Sequence, residues 1–346
     1  MTELRSAPHE RLGLSVESIM LNVVLALLPI ALFSIWLYGL SALALLLTSV
    51  IVCLATERLF NHLAGQSSTL GDWSAMITGI LLALVLPPSF PLWMTAVAAV
   101  AAMGLGKILF GGLGMNVFNP ALVGRAFVQA AFPSAIATWV PSYAPNRFHE
   151  FIPTTLTPPL MIPPDLTAWT KAVSADAFTG ATPLAMWKFQ HQLTAPEDLI
   201  LGVATASVGE TSAMLILVCG LYLALRGMLD WRIPVGMMGS AIALAYAFHL
   251  YNPDFFPPPF FVLLSGGLML GALFMATDMA TSPVTPLAVW VYAILIGLVT
   301  VLIRYFGGLS EGVMYAILFG NALAPLLDRS LPTRVFGRRK ARKVAS

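Results

Sequence analysis

The sequence predicts an all-α integral membrane protein: about ten transmembrane helices in two inverted five-helix repeats, joined through a long extracytoplasmic segment. Three observations predict it. The 346 residues are 58% hydrophobic and only 10% charged, with a mean hydropathy of +0.84, whereas a soluble domain carries about a quarter charged residues. The apolar residues gather into ten runs, and a spanning helix needs about 20 residues. Arg and Lys concentrate on one side of the topology those runs define.

Residues 1–18 are polar, with Glu3, Arg5, Glu10, Arg11 and Glu17, and read as a short cytoplasmic lead-in. The first apolar run is long enough to span, and no cleavable signal peptide is in view. The first repeat, 19–135, takes runs near 19–40, 41–57, 74–92, 93–110 and 117–135. The fifth contains Asn119, Pro120, Arg125 and Gln129 and is expected to be a broken or half-helix. The polar interval 136–205 follows, with Pro141, Pro145, Pro153, Pro158, Pro159, Pro163 and Pro164, and with Trp139, Trp169 and Trp187. It is too proline-rich for a long helix and too aromatic for a flexible linker. An ordered external cap against the membrane surface is expected, its tryptophans being candidates for the interfacial belt. The second repeat, 206–328, takes runs near 206–226, 233–250, 259–276, 284–304 and 312–328, and residues 329–346 form a basic tail.

Ten spans place both termini on one side. Arg5, Arg11, Arg58, Lys107, Arg125, Arg226, Arg232, Arg329, Arg334 and the tail Arg338-Arg339-Lys340-Ala341-Arg342-Lys343 fall there, while Arg147, Lys171, Lys188 and Arg304 fall on the other. The termini are therefore assigned to the cytoplasm and the 136–205 interval to the outside. The tail reads as a solvated stop-transfer flank, and no nucleic-acid partner is expected.

Two segments share an order of landmarks. Gly79-Ile80-Leu81, Pro87-Pro88, Pro91-Leu92-Trp93, Phe110-Gly111-Gly112-Leu113 and Asn119-Pro120-Ala121-Leu122 match Gly271-Ala272-Leu273, Ser282-Pro283, Pro286-Leu287, Phe306-Gly307-Gly308-Leu309 and Asn321-Ala322-Leu323. Chance similarity between Leu-rich helices is the alternative. Five-span halves must be inverted, and inverted repeats commonly build a site near the midplane, where helices break.

The most informative stretch is Asp176-Ala177-Phe178-Thr179-Gly180-Ala181-Thr182-Pro183-Leu184. Gly180 permits a bend, and Pro183 pushes Thr182 towards an extended conformation. One reading presents a hydroxyl outward for modification by another enzyme. The other makes Thr179 or Thr182 a helix N-cap.

Polar groups inside hydrocarbon are costly and tend to be functional. Asn116, Asn119 and Arg125 in the first half, and Thr277, Asp278, Thr281 and Ser282 in the second, are the candidates. Glu210 reads as a headgroup-region carboxylate at a helix N-terminus, with an ion-ligand or proton-carrier role as the alternative. For Asp278, capping and ligand contact both remain open. Gly267 and Gly271 form a small-xxx-small pair, read as close helix packing. His249 reads as interfacial, and the other histidines form no metal spacing, so no metal site is expected. Cys53 and Cys219 each stand alone in apolar runs, as small buried hydrophobes. With no Cys-x-x-Cys, Gly-x-Gly-x-x-Gly or Walker sequence, this chain is not expected to hold an iron–sulfur cluster or c-type haem, or to bind nicotinamide or ATP directly.

Asp-x-x-Thr-Gly-Ala-Thr resembles the signature of proteins carrying covalent FMN. Together with Gly114-Met115-Asn116-Val117-Phe118-Asn119-Pro120-Ala121, Thr277-Asp278-Met279-Ala280-Thr281-Ser282-Pro283 and Gly320-Asn321-Ala322-Leu323-Ala324-Pro325, it is similar to one family over nearly the whole chain. That family contains the D subunit of the Rnf ion-translocating ferredoxin–NAD oxidoreductase complex and the B subunit of the sodium-pumping NADH–quinone reductase. The short lead-in favours the Rnf branch.

The resemblance implies FMN joined to Thr182 as a phosphoester by a flavin transferase, with Asp176, Thr179, Gly180 and Ala181 as its recognition sequence. It implies noncovalent riboflavin within the membrane part, for which Asn116, Asn119, Thr277 and Asp278 are candidate flavin or ion contacts. It implies a bacterial inner-membrane location with the Thr182 segment periplasmic. The partners implied are a second covalent-FMN subunit and iron–sulfur membrane subunits, in an oxidoreductase (translocase) that moves Na+ or H+ and of which this chain is not a complete enzyme alone. The alternatives are the quinone-reductase subunit and a non-redox inverted-repeat transporter or channel.

Overall fold

A computed structural model describes residues 15–65, 69–173, 182–202, 204–210 and 212–332. Among the described residues the secondary structure is helical, with turns and extended linkers and no strand. Ser15 caps α1 (Val16–Tyr38), its Oγ accepting from Ser18 N at 3.2 Å. Gly39, at φ +68°, turns the chain directly into α2 (Leu40–Leu63). A Cβ there would strike the Arg147 carbonyl, which accepts from Leu40 N at 2.8 Å, so the joint needs glycine.

The first half continues with α3 (Ser74–Val85), α4 (Leu92–Gly106, prolonged by a 3-10 turn Ile108–Phe110), α5 (Pro120–Ala131) and the short α6 (Pro133–Ile136). The connecting segment carries α7 (Thr167–Val173), α8 (Pro183–Gln190) and α9 (Pro196–Leu201). The second half has α10 (Ala213–Leu225), α11 (Arg232–Tyr251), α12 (Pro259–Leu264), α13 (Leu268–Leu270) running into a π-helical turn Gly271–Met275, α14 (Pro286–Phe306) and α15 (Val313–Ser330).

Each of the ten expected apolar runs contains helix, and among the described residues five stretches are long and apolar enough to cross a membrane: Val16–Tyr38, Leu40–Leu63, Leu92–Phe110, Arg232–Tyr251 and Pro286–Phe306. Most of the others are shorter than their runs because hydropathy does not register backbone breaks; the last run is one continuous helix, α15. α3 has 12 residues, about 18 Å at the α-helical rise. It ends because Pro87 forces Leu86 into an extended conformation. The run near 206–226 yields a 13-residue helix preceded by extended chain. The run near 259–276 breaks at Ser265-Gly266-Gly267, where Gly266 takes φ +64°, and resumes through the π turn. The fifth run is the half-helix expected of it.

These short helices satisfy their ends with one another, as buried backbone groups must. Extended residues 204–210 lie along α1 and the end of α3. Gly209 N donates to Leu84 O at 2.7 Å and Val208 N to Leu86 O at 3.0 Å. Tyr38 Oη donates to Ala206 O at 3.1 Å and Ser34 Oγ to Val208 O at 2.5 Å.

Packing within the two halves follows one pattern: α2 against α3 and α4, and α4 against α5; α11 against α12 and α14, and α14 against α15. The halves meet through α1 with α10 and through α5 with α15. The α11–α14 contact depends on Gly297, where a Cβ would collide with Ser240 Oγ and the Met237 carbonyl. Gly297→Leu is expected to destabilise the protein by about 1–3 kcal/mol or more, since two backbones must separate. Unfolding in mixed micelles measures the loss.

The 136–166 segment is an ordered cap. Thr154 Oγ1 donates to Ser89 O at 2.5 Å, Leu92 N to Thr155 O at 3.1 Å, and Arg147 Nε to Trp36 O at 2.9 Å. Trp187 is buried and packs on Tyr305 with ring centroids 5.4 Å apart, so it belongs to the interior and not to an interfacial belt. Lys107, Arg125 and Arg304 are also buried. They are engaged in ion pairs or on carbonyls and do not flank the bilayer as the charge reading assumed. Cys53 and Cys219 are buried free thiols, and His249 Nδ1 lies 2.8 Å from Phe256 O.

Candidate functional site

Thr182 is the N-cap of α8: its Oγ1 accepts from Ala185 N at 3.2 Å and its carbonyl accepts from Met186 N at 2.8 Å. Its φ and ψ, −68° and 153°, are the extended values that a following proline demands. The residue is only 3% exposed. The hydroxyl therefore does not project outward; capping turns it in towards the helix end. Asp176, Thr179, Gly180 and Ala181 lie outside the described residues.

α8 is fastened to the second half. Lys188 Nζ donates to the carbonyls of Arg304, Gly307 and Leu309 at 2.9, 2.5 and 2.8 Å, a cation on the negative end of α14. Burial there pulls the Lys188 ammonium below its usual pKa. Leu184 packs where a Cβ on Gly266 would sit. Arg304, wholly buried, donates to Val262 O at 2.6 Å and Ser265 O at 3.0 Å, so it serves the broken end of α12.

Beside Thr182 is a small cavity, lined also by Ala206, Leu264, Gly266, Glu210 and Glu311. Its floor is an ion cluster. Arg125 Nη1 lies 3.3 Å from Glu210 Oε1, and Arg125 Nη2 lies 2.5 Å from Glu311 Oε2. Glu210 is 6% exposed. It is thus an interior partner of Arg125, not the headgroup-region carboxylate expected at the helix start; Ser212 fills that capping role, accepting from Leu215 N at 3.3 Å. The 204–210 pairing with α3 carries Glu210 inward, and a Cβ on Gly267 would meet its carboxylate. Gly267 makes room for Glu210, while Gly271 packs against Val313 as its spacing predicted.

A second cavity opens near the start of α1 and the end of α10. Asn116, Asn119, Thr277 and Asp278 all line it, with apolar walls from Val23, Leu81 and Phe274. Asn119 joins the halves: its Oδ1 accepts from Ala121 N at 3.1 Å and its Nδ2 donates to Met275 O at 3.2 Å. Asp278 caps its own turn, accepting from Ala280 N at 3.2 Å and Thr281 Oγ1 at 3.4 Å. Lys107 also reaches the lining, held at 2.5 Å by both Glu57 Oε1 and Ser74 Oγ. Among the described residues no cluster of His, Cys, Asp and Glu is suited to a metal ion.

A family model described as the NQR2, RnfD, RnfE family matches residues 3–337. The chain belongs to this family. Its relatives include the D subunit of the proton-translocating ferredoxin:NAD(+) oxidoreductase complex of Clostridium ljungdahlii, 36% identical over 97% of this chain and 96% of the relative. The D subunit of the Na(+)-translocating ferredoxin:NAD(+) oxidoreductase complex of Acetobacterium woodii is 39% identical over 98% of this chain and 96% of its own length. The D subunit of an ion-translocating oxidoreductase complex from Halorhodospira halophila is 36% identical over 98% and 96%. Membership and the apolar helices together make this a multi-pass membrane protein.

Sequence reasoning overlooked Glu311, Glu57 and the anchoring roles of Lys188 and Arg304. An acid close behind the Gly307-Gly308 turn and another inside the apolar α2 run were the available signals.

Proposed function

We propose that this chain is the D subunit of an Rnf-type ion-translocating ferredoxin:NAD+ oxidoreductase complex, an electron-transfer component carrying FMN as a phosphoester on Thr182. The observation that carries the reading is that Asp-x-x-Thr-Gly-Ala-Thr ends on a threonine whose hydroxyl caps α8 beside a cavity, in a chain of this family. The residues suit the group. Thr182 Oγ1 would hold the phosphoester at the positive end of α8, where negative charge is favoured, and the Lys188 anchor holds that helix to α14. Bound there, FMN supplies electron-transfer chemistry, while the protein supplies position and electrostatics. With Thr182 periplasmic and both termini cytoplasmic, the tether keeps the cofactor from being lost outside the cell. Na+ or H+ movement accompanies electron transfer between ferredoxin and NAD in the assembled complex, whose other subunits hold further flavin and iron–sulfur centres. A flavin transferase is its maturation partner.

The cavity lined by Asn116, Asn119, Thr277 and Asp278 suits noncovalent riboflavin. Its apolar walls match the isoalloxazine faces, and its few amide, hydroxyl and carboxyl groups match the polar edges. Asn116→Leu is expected to lower the noncovalent flavin retained on purification several-fold and to leave covalent flavin unchanged, measured by acid extraction followed by chromatography. Retention equal to wild type removes riboflavin from this cavity. Turnover of the intact complex with ferredoxin and NAD+ and no quinone is the expected activity; a quinone requirement transfers the chain to the quinone-reductase branch.

A further inference from the structure

Among the described residues, Glu210 Oε2 is buried and receives no close hydrogen bond, and the Ser207 hydroxyl, which has no other close partner, is the only side-chain hydroxyl beside it. A carboxylate oxygen left this way is costly away from water. We propose that Glu210 is a reversible proton-binding site on the floor of the cavity beside Thr182. The proton adds to Oε2 as carboxylate plus H+ gives carboxylic acid; no bond to carbon changes and nothing is oxidised. The Ser207 hydroxyl can donate to the carboxylate and accept from the acid, so it can serve both protonation states.

The hydrogen-bonded counter-charge available to Glu210 is shared. Arg125, from α5, divides a single guanidinium between Glu210 and Glu311, and its Nε is itself without a partner. Arg304, from α14, acts on both carboxylates through space, but its terminal nitrogens donate to carbonyls of α12 and the residue after it, so it gives Glu210 no hydrogen bond. From α1, the Tyr38 hydroxyl is committed to Ala206 O. From the end of α14, Tyr305 completes the titratable groups near Arg304.

Glu311 supplies a way in. It lines the inner cavity with Thr182 and Glu210, and also a wider vestibule bounded by Arg125, Gln129 and Tyr315. Its side chain is 16% exposed, against 2% for Glu210. Protons from the vestibule thus meet Glu311 first and Glu210 second. Compensation of charge on a flavin borne by Thr182 rests on the function proposed above; the proton site itself rests only on the ion cluster and cavity.

Infrared difference spectra of the purified complex, recorded across a pH titration in H2O and D2O, test it. A carboxylic-acid carbonyl band that titrates, shifts in D2O, vanishes in Glu210→Gln and persists in Thr182→Ala is the expected result. Persistence in Thr182→Ala separates this site from the flavin assignment. If Glu210→Gln does not assemble, Glu311→Gln decides. Removing that negative neighbour leaves Arg125 wholly to Glu210 and is expected to lower its proton affinity by about tenfold, one pH unit. A band unchanged in both variants, no titrating band in wild type, or one answering to Na+ and not to pH overturns the proposal.

Discussion

Arg125→Leu is expected to destabilise the protein by about 3–5 kcal/mol, the range for breaking a buried ion pair by removing one partner. Leucine fills much of the volume, so the loss is electrostatic. Glu210 and Glu311 would then face each other with no cation between them, each having given its one resolved ion pair to Arg125. The three side chains come from α5, the extended entry to α10 and the turn before α15, so their separation loosens the contact between the halves as well. The triple variant Arg125→Leu, Glu210→Gln, Glu311→Gln is expected to recover most of the loss, because neutral amides carry no uncompensated charge. Unfolding in mixed micelles measures both. A single variant within about 0.5 kcal/mol of wild type, the usual size of a surface substitution, would show that the cluster is wet and open.

Thr182→Ala is expected to abolish covalent flavin completely and to cost little stability. The attachment needs the hydroxyl, whereas the fold loses only one cap bond, to Ala185 N, worth about 1 kcal/mol. Thr182→Ser retains an oxygen that can both cap and esterify, so it is expected to keep stability and at least part of the flavin. Fluorescence of the chain on a denaturing gel reads attachment, and unfolding in micelles reads stability. If Thr182→Ala instead removed several kcal/mol while native chains carried no flavin, the cap would be the residue's whole role.

The helices were largely legible because long apolar runs leave few other choices in a bilayer. What hydropathy could not locate were the interruptions. Pro87 and Gly266 end helices through backbone conformation while their neighbours remain apolar. The four residues Asn116, Asn119, Thr277 and Asp278 were picked singly as polar groups at membrane depth, and they line one cavity. The Arg125 cluster was not legible. Its partners are 85 and 186 residues away in sequence, and Glu210 reaches Arg125 only because residues 204–210 pair with the end of α3. The capping role of Thr182 was legible locally, in Thr182-Pro183 and the helix after it. The modification proposed for it rests on the sequence of residues 176–181, which lie outside the described residues.

The most direct test is the intact mass of the chain purified from its native host, with the proteolytic peptide containing Thr182 sequenced. The predicted result is an increase equal to FMN minus water, located on Thr182. An unmodified Thr182 in cells with an active flavin transferase would contradict the flavin assignment and return the chain to a non-redox role in the membrane.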